Sequence, residues 1–568
     1  MRSSNRSCFC ATSFLAIFLA ACSDQHAPRL SISADSPQSV PSASVLTQTE
    51  ATPISTPSPS QSLTATSAWG NGAPGTSTQI DPAAISAKGD PREWWEAVYA
   101  YGTKIGWCHT QFSDLEQDGR KLAKIDYQNH ISVDRQGQQT VIDITTGSIE
   151  TPEGELLNFH TEMKSGASNA QTIGHVADGQ LKLETITEGK TTLESFPWSP
   201  GTLGFSAAEQ SLAAAPLLPG GRRSLRALMP ATNEVVVIDL AADKYEPTSL
   251  VDHTEDLLRI NSTIALPIQA GNDSPPVIHS QLWTNHEGQV LKTALMALHQ
   301  ETYRTTKSVA LAQSGSRRLD LVIDNTVPVA QSLADPHGTN RIKYRVRLAS
   351  DDPAKAFYSG GSQEVTSLDS HTAEITVRRI DLSSNSNPSI ALPMAPSRLP
   401  SGDDRAPNNL IQSDDDQVLA LAKAVSPDET DSGKLAVALE KYVNQFVTLK
   451  NFSQAFDTAA EVARHREGDC TEHAVLLAAL ARARGIPARV VIGLVYQTDT
   501  QSFVYHMWNE LWITDRWVPM DATLGRGGIG AAHLKLTDSN LAGAQAYSCF
   551  LPVAQVIGQL KIEILEVE

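Results

Sequence analysis

Between residues 89 and 315, apolar and polar positions alternate in short runs broken by Gly, Asn and Asp. "KIDYQNHISV" sets Ile125, Tyr127, Asn129, Ile131 and Val133 on one face, the period of two that a half-buried strand requires. "EVVVIDL" (234–240) and "GQVLKTAL" (288–295) repeat the signal. The pattern predicts a β-rich domain, a large antiparallel sheet or half-barrel. It continues through "RLDLVID", "IKYRVRLAS" and "AEITVRRI", so 316–385 reads as a small β domain or an extension of the first. In the middle run Ile342, Tyr344, Val346 and Leu348 face one way and Lys343, Arg345 and Arg347 the other, the pattern of a solvated strand face.

The alternation stops at 386–413, where Pro, Ser and Asn predict a linker. From 414 to 568 the texture becomes helix first, strands afterwards. Leu435, Leu439, Tyr442 and Phe446 make one apolar helical stripe. "SQAFDTAAEVARH" predicts a second helix with Ser453 as its N-cap. A third opens at Cys470, buries Ala474, Leu477, Ala478 and Ala481, and stops at Gly485 with Pro487 beyond. Strands are expected at 488–496, 502–513 and 516–521, which makes an α+β domain. The whole chain is therefore expected to be multidomain, β-rich first and α+β last.

The amino terminus fixes the expected compartment. Arg2 and Arg6 precede an apolar run too short to span a bilayer, and "LAAC" closes it at Cys22. This resembles a bacterial lipoprotein signal (1–21), which implies lipidation of Cys22 and anchoring of the chain to a membrane in the cell envelope. Ser23 rather than Asp after Cys22 favours, by the same resemblance, the outer membrane. Residues 22–88, rich in Ser, Thr, Pro and Ala, read as a disordered tether. A net charge of -18 excludes a nucleic-acid partner, which needs a basic face.

Six cysteines fall to Cys22, Cys108, Cys470 and Cys549 once a leader is removed. Only Cys108 with Cys549 would form a disulfide that spares Cys470. The order of Cys470 at a helix start, His506 on a strand and Asp521 at the end of the next strand is what a thiol nucleophile needs. The helix N-terminus favours the thiolate, the imidazole moves the proton, and the carboxylate orients the imidazole. Glu472 and Asp469 work against the thiolate. The alternatives are a buried structural thiol, or a metal site on Cys470, His473 and His465, whose spacing is poor for zinc. His473 reads as a helix-surface or subsite residue. His109, His130, His160 and His175 have no ligand spacing either. Trp508, Trp512 and Trp517 read as packing, and Glu510 as a structural group near Arg489.

"GDCTEHAVLLAALARARGIPARVVIG", "HMWNELWI" and "RWVPMDAT" together resemble the core of the transglutaminase-like superfamily, thiol enzymes with a papain-like layout. The resemblance covers roughly 415–525. It implies that Cys470 is the nucleophile, His506 the general base and acid, and Asp521 the orienting carboxylate; no cofactor and no metal are expected from the residues. The implied substrate is a peptide or protein amide, attacked to give a thioester that passes to water or to an amine. Peptidase or amidase and transglutaminase both remain open, and so does the second oxyanion donor, with Asn444 and Gln445 among the candidates. Two other classes stand beside these: a catalytically inert peptide-binding or envelope-assembly module, and a β-rich region that binds an apolar ligand.

Overall fold

The computed structural model describes residues 86–87, 92–135, 138–165, 168–187, 189–229, 232–265, 277–313, 319, 326–380, 382, 398–449, 456–544 and 546–568. The leader, Cys22, nearly all of the tether and most of "RLDLVID" lie outside the described residues. Among the described residues no helix is long and apolar enough to cross a membrane.

The first sheet has 15 strands and is antiparallel throughout. One meander runs from Arg92–Ala100 to Lys190–Pro197, a second from Arg222–Met229 to Gln300–Thr305. The last strand of the second meander pairs with the first strand of the first, so both form one surface. Asp118-Gly119 and Asp178-Gly179 turn two of the hairpins with positive φ at both positions, a turn that follows the twist of the strands. In Arg120–Arg135 the predicted face is the buried one: Ile125, Tyr127, Asn129, Ile131 and Val133 are all 2 % exposed or less.

The second sheet is smaller. Arg341–Arg347, Gln363–Asp369 and Thr372–Arg378 are joined by Lys561–Val567, which pairs with Arg341–Arg347. The last strand of the chain thus belongs to this sheet and not to the C-terminal domain where its position in the sequence puts it. Its alternation marks it as a strand but carries no information about the partner. Ile342, Tyr344, Val346 and Leu348 are buried beneath it. On the other face Lys343 and Arg345 pair with Glu374, and Arg345 also with Glu563, so the basic stripe is neutralised across strands.

The third unit holds the helices Asp416–Ala424, Ser432–Phe446, Ala459–His465 and Cys470–Ala483. Its sheet runs Val327–Pro328, Ser502–Ile513, Ala488–Gln497, His533–Ser539, with Arg516–Met520 added to Ser502–Ile513. Cys470–Ala483 is the centre. It packs on the other three helices and on two strands, and Cys470 through Arg482 are buried on every side. A helix buried all round shows no one-sided stripe, which is why only four of its contacts were legible. Ser453 lies outside the described residues. The second helix starts at Ala459, where Thr458 and Glu461 form a capping box.

Residues 398–413, expected as linker, are packed. Asp404 is buried and accepts from Arg398 and Ser401, Asn408 turns the chain onto Leu410 and Ile411, and both of those are buried. Side chains bonding to nearby backbone order an irregular segment without any period to announce it.

A buried ion cluster ties the third unit together. Arg489 and Lys535 both reach Glu510, at 2.6 and 2.7 Å, and both reach Asp538 at 2.8 Å. Trp517 covers Arg489 at 4.1 Å. Glu510→Ala leaves two buried cations on one carboxylate. It is expected to lower unfolding stability by about 3–5 kcal/mol, read from denaturant midpoints.

Candidate functional site

The turn into the central helix depends on one glycine. Gly468 sits at φ +144, and a Cβ there would lie 2.3 Å from the Glu472 Cβ. Asp469 then caps the helix by accepting from Thr471 N at 2.9 Å, and Glu472 reaches back to Asp469 N at 2.9 Å. This capping box fixes Cys470 as the first helical residue, at the end where unpaired N–H groups favour an anion. Glu472 also accepts from Asp457 N and Thr471 Oγ1. Burial, then the charges of Asp469 and Asp457, raise its pKa well above the ordinary value. A shift in that direction weakens the opposition to a thiolate expected from Glu472. His473, expected on the helix surface, is buried and turned onto the Asp469 carbonyl.

Ser502–Ile513 carries His506, Trp508 and Glu510 on one face, with the His506 and Trp508 rings stacked at 6.2 Å. From the alternate face Asn509 donates to the Ala474 carbonyl at 2.8 Å and pins the strand to the central helix. Arg516–Met520 delivers Asp521 beside it, and His506 Nε2 meets Asp521 Oδ2 at 2.9 Å. That leaves Nδ1 for the sulfur of Cys470, with which His506 also hydrogen-bonds. Burial opposes charge on this ring, yet Asp521 and Cys470 hold its pKa well above the ordinary imidazole value. Cys470, His506 and Asp521 are each 0 % exposed.

Three groups around Asp521 were missed by sequence reasoning. His533, from the strand beyond Ala488–Gln497, places Nε2 3.1 Å from the same Oδ2. Between the two histidine strands stands Gly493, where a Cβ would fall 2.7 Å from the Trp508 ring. Burial would raise the Asp521 carboxyl, but His506 and His533 hold it far below the usual range. Glu440, on the Ser432–Phe446 helix, accepts from Asp521 N at 3.0 Å and from the backbone of Gly527 and Gly528. Nothing marked it in the sequence except its place beside the apolar stripe. Asn444, a candidate oxyanion donor, instead gives its amide to the Ala522 and Thr523 carbonyls, both at 2.9 Å. Lastly, His337 lies edge-on to His533 at 5.8 Å.

Burial pushes the Glu440 carboxyl from 4.5 up to about 7. With the folded value above the unfolded one, its stabilisation is complete below 4.5 and is lost as pH rises through about 7. Thermal scans from pH 5 to 8 are expected to show this loss, about 3 kcal/mol in all, and Glu440→Gln is expected to remove it.

Cys108, Cys470 and Cys549 are buried thiols, and no disulfide joins Cys108 to Cys549. The Cys108 sulfur accepts from Tyr127, and Cys549 donates to the Ala546 carbonyl. Burial pushes the Cys549 thiol up to about 12, the mark of an inert core cysteine.

Residues 419–522 match the family model of the transglutaminase-like superfamily. No curated protein matches the chain. Three solved structures are similar to it at low identity. A "putative cysteine protease" from Cytophaga hutchinsonii is 18% identical over 40% of this chain and 86% of its own, with a TM-score of 0.25. A β-barrel-like protein of a domain of unknown function from Brucella abortus is 12% identical over 39% and 97%, with a TM-score of 0.26. A "putative protease" from Parabacteroides distasonis is 10% identical over 62% and 64%, with a TM-score of 0.17. Such scores bear no weight for fold or function. The family match spans Cys470, His506 and Asp521 and ends before His533. The C-terminal part of this chain carries a domain of the transglutaminase-like superfamily.

Proposed function

We propose that the chain is a thiol enzyme that attacks peptide or protein amides, with Cys470 as nucleophile, His506 as base and acid, and Asp521 as the group that orients His506. The observation that carries this reading is His506 held between the Cys470 sulfur and the Asp521 carboxylate at the head of the central helix. The thiolate adds to the amide carbonyl, the backbone N–H of Cys470 takes part of the oxyanion charge, and His506 gives its proton to the leaving amine. A thioester results. Water then yields a hydrolase and an amine yields a cross-link, and the resemblance to bacterial members of the superfamily tilts our reading towards peptidase or amidase.

The site is proposed to work in the cell envelope, on a body anchored through lipidated Cys22. A glutamine-containing peptide, offered to wild type and Cys470→Ala with and without a primary amine, tests the proposal. Ammonia release, cleavage or amine incorporation by wild type alone supports it and names the reaction. Identical null results from both proteins end it.

Full burial of all three side chains favours a second reading, an inert peptide-binding or assembly module. Under that reading a thiol-directed electrophile labels Cys470 no faster than Cys108 or Cys549.

A further inference from the structure

We propose that His506, Asp521 and His533 together form a binding site for a divalent transition-metal ion of the zinc class, and that the ion switches the thiol enzyme off. Only the inhibitory consequence rests on the functional reading above; the binding does not.

The donor set is the first argument. One nitrogen from each imidazole and one carboxylate oxygen all lie within 4.8 Å of one another. Two imidazoles and a carboxylate are a ligand set that zinc takes in tetrahedral sites. Zinc bonds of about 2.0–2.1 Å put tetrahedral ligand atoms roughly 3.3 Å apart. The two nitrogens already stand 2.9 and 3.1 Å from the shared Oδ2. Opening the two oxygen–nitrogen separations by a few tenths of an ångström, with the two nitrogens within 4.8 Å of each other, admits the ion in place of the protons that each Nε2 now shares with the oxygen.

Rigidity is the second argument. All three side chains are fully buried and come from separate strands or strand ends, so the ligands are positioned before any ion arrives. Asp521 Oδ1 stays occupied by Thr523 N at 2.9 Å, and Glu440 holds the Asp521 backbone. These are the supporting bonds that fix a ligating carboxylate. His337 is half-buried beside His533, with its Nδ1 lacking a hydrogen-bond partner. A third imidazole thus stands next to the site.

The consequence for the reaction is direct. An ion on His506 Nε2 takes the orienting bond away from the ring and neutralises the carboxylate that stabilises its cation. Cys470 stays outside the ligand set, on the far nitrogen of His506.

The test uses the full chain with zinc chloride alone, followed by titration calorimetry and by metal content after gel filtration. Wild type and Cys470→Ala are each expected to retain one ion. His533→Gln and His533→Asn are expected to lose it, by more than the roughly 10–100-fold that removal of a supporting partner produces. Each variant is first checked as folded by circular dichroism and its thermal midpoint. Zinc is expected to raise that midpoint for wild type and to leave the folded His533 variants where they are. If wild type binds no ion, if both His533 variants bind it as wild type does, or if Cys470→Ala loses it, the site is refuted. Amide turnover reports separately. Bound zinc without turnover in any condition sinks the enzyme reading and leaves the metal site standing, whereas turnover in a protein that binds no zinc does the reverse.

Discussion

Cys470→Ala is expected to abolish amide turnover while leaving the fold in place. The magnitude follows from what the sulfur does. Without it no thioester forms, and what remains is an oxyanion donor and a binding surface, so a loss on the order of 10⁵-fold or more is expected in kcat. Alanine removes one atom from a buried site, a change worth about 1 kcal/mol in stability, so the two readouts separate cleanly. Electrophile labelling gives the second measurement. Cys470 stands at a helix N-terminus beside an imidazole whose pKa is held well above the ordinary value, whereas Cys549 is a thiol pushed up to about 12. Mass spectrometry of native protein after brief exposure should find the label on Cys470 first.

Asp521→Asn is expected to have the second largest effect, and it differs in kind. The carboxylate accepts from His506, His533 and the Thr523 backbone. Both imidazoles meet Oδ2 and Thr523 N meets Oδ1, so an amide must turn its N–H₂ either to the two rings or to the Thr523 N–H, and one side loses its acceptor. His506 loses its preferred tautomer and the charge that stabilises its cation. A fall of about 10⁴-fold in kcat is expected, with KM little changed, since nothing in this change touches bound substrate. Unlike Cys470→Ala, this variant should also lose stability, by about 3–5 kcal/mol, because a buried charge with three donors is removed. His506 is held above its ordinary pKa, so the stabilisation it supplies is complete below about 6.5 and is lost as pH rises through the folded value. The stability deficit of Asp521→Asn should therefore be largest in acid to neutral buffer, provided Asp521 itself stays ionised, and should narrow at high pH.

Much of the fold was legible because period two is a local property. Ile125 to Val133, and Ile342 to Leu348, each declare an inward face without reference to anything distant. The meeting of His506 with Asp521 was legible for a related reason: a short turn at Thr514-Asp515 forces consecutive strands to pair, so residues near their ends become neighbours. Contacts that skip a strand or return from far along the chain leave no local trace. His533 reaches Asp521 across the strand that carries Gly493. Glu440 looks like an ordinary helix-surface glutamate until three backbone N–H groups are seen to converge on it. Glu472, read as an opposing charge, has its pKa raised by burial and by the charges of Asp469 and Asp457, which no spacing could foretell.

The pairing of Lys561–Val567 with Arg341–Arg347 has a consequence for how the molecule is made. A ribosome releases the middle strands long before Lys561–Val567, so the small sheet waits, one edge open, until that strand is made. Contacts so remote in sequence form slowly, and an unpaired edge invites wrong partners in the meantime. Trimming the last eight residues should leave that edge permanently bare, and such a truncated chain is expected to aggregate on refolding where the intact one recovers.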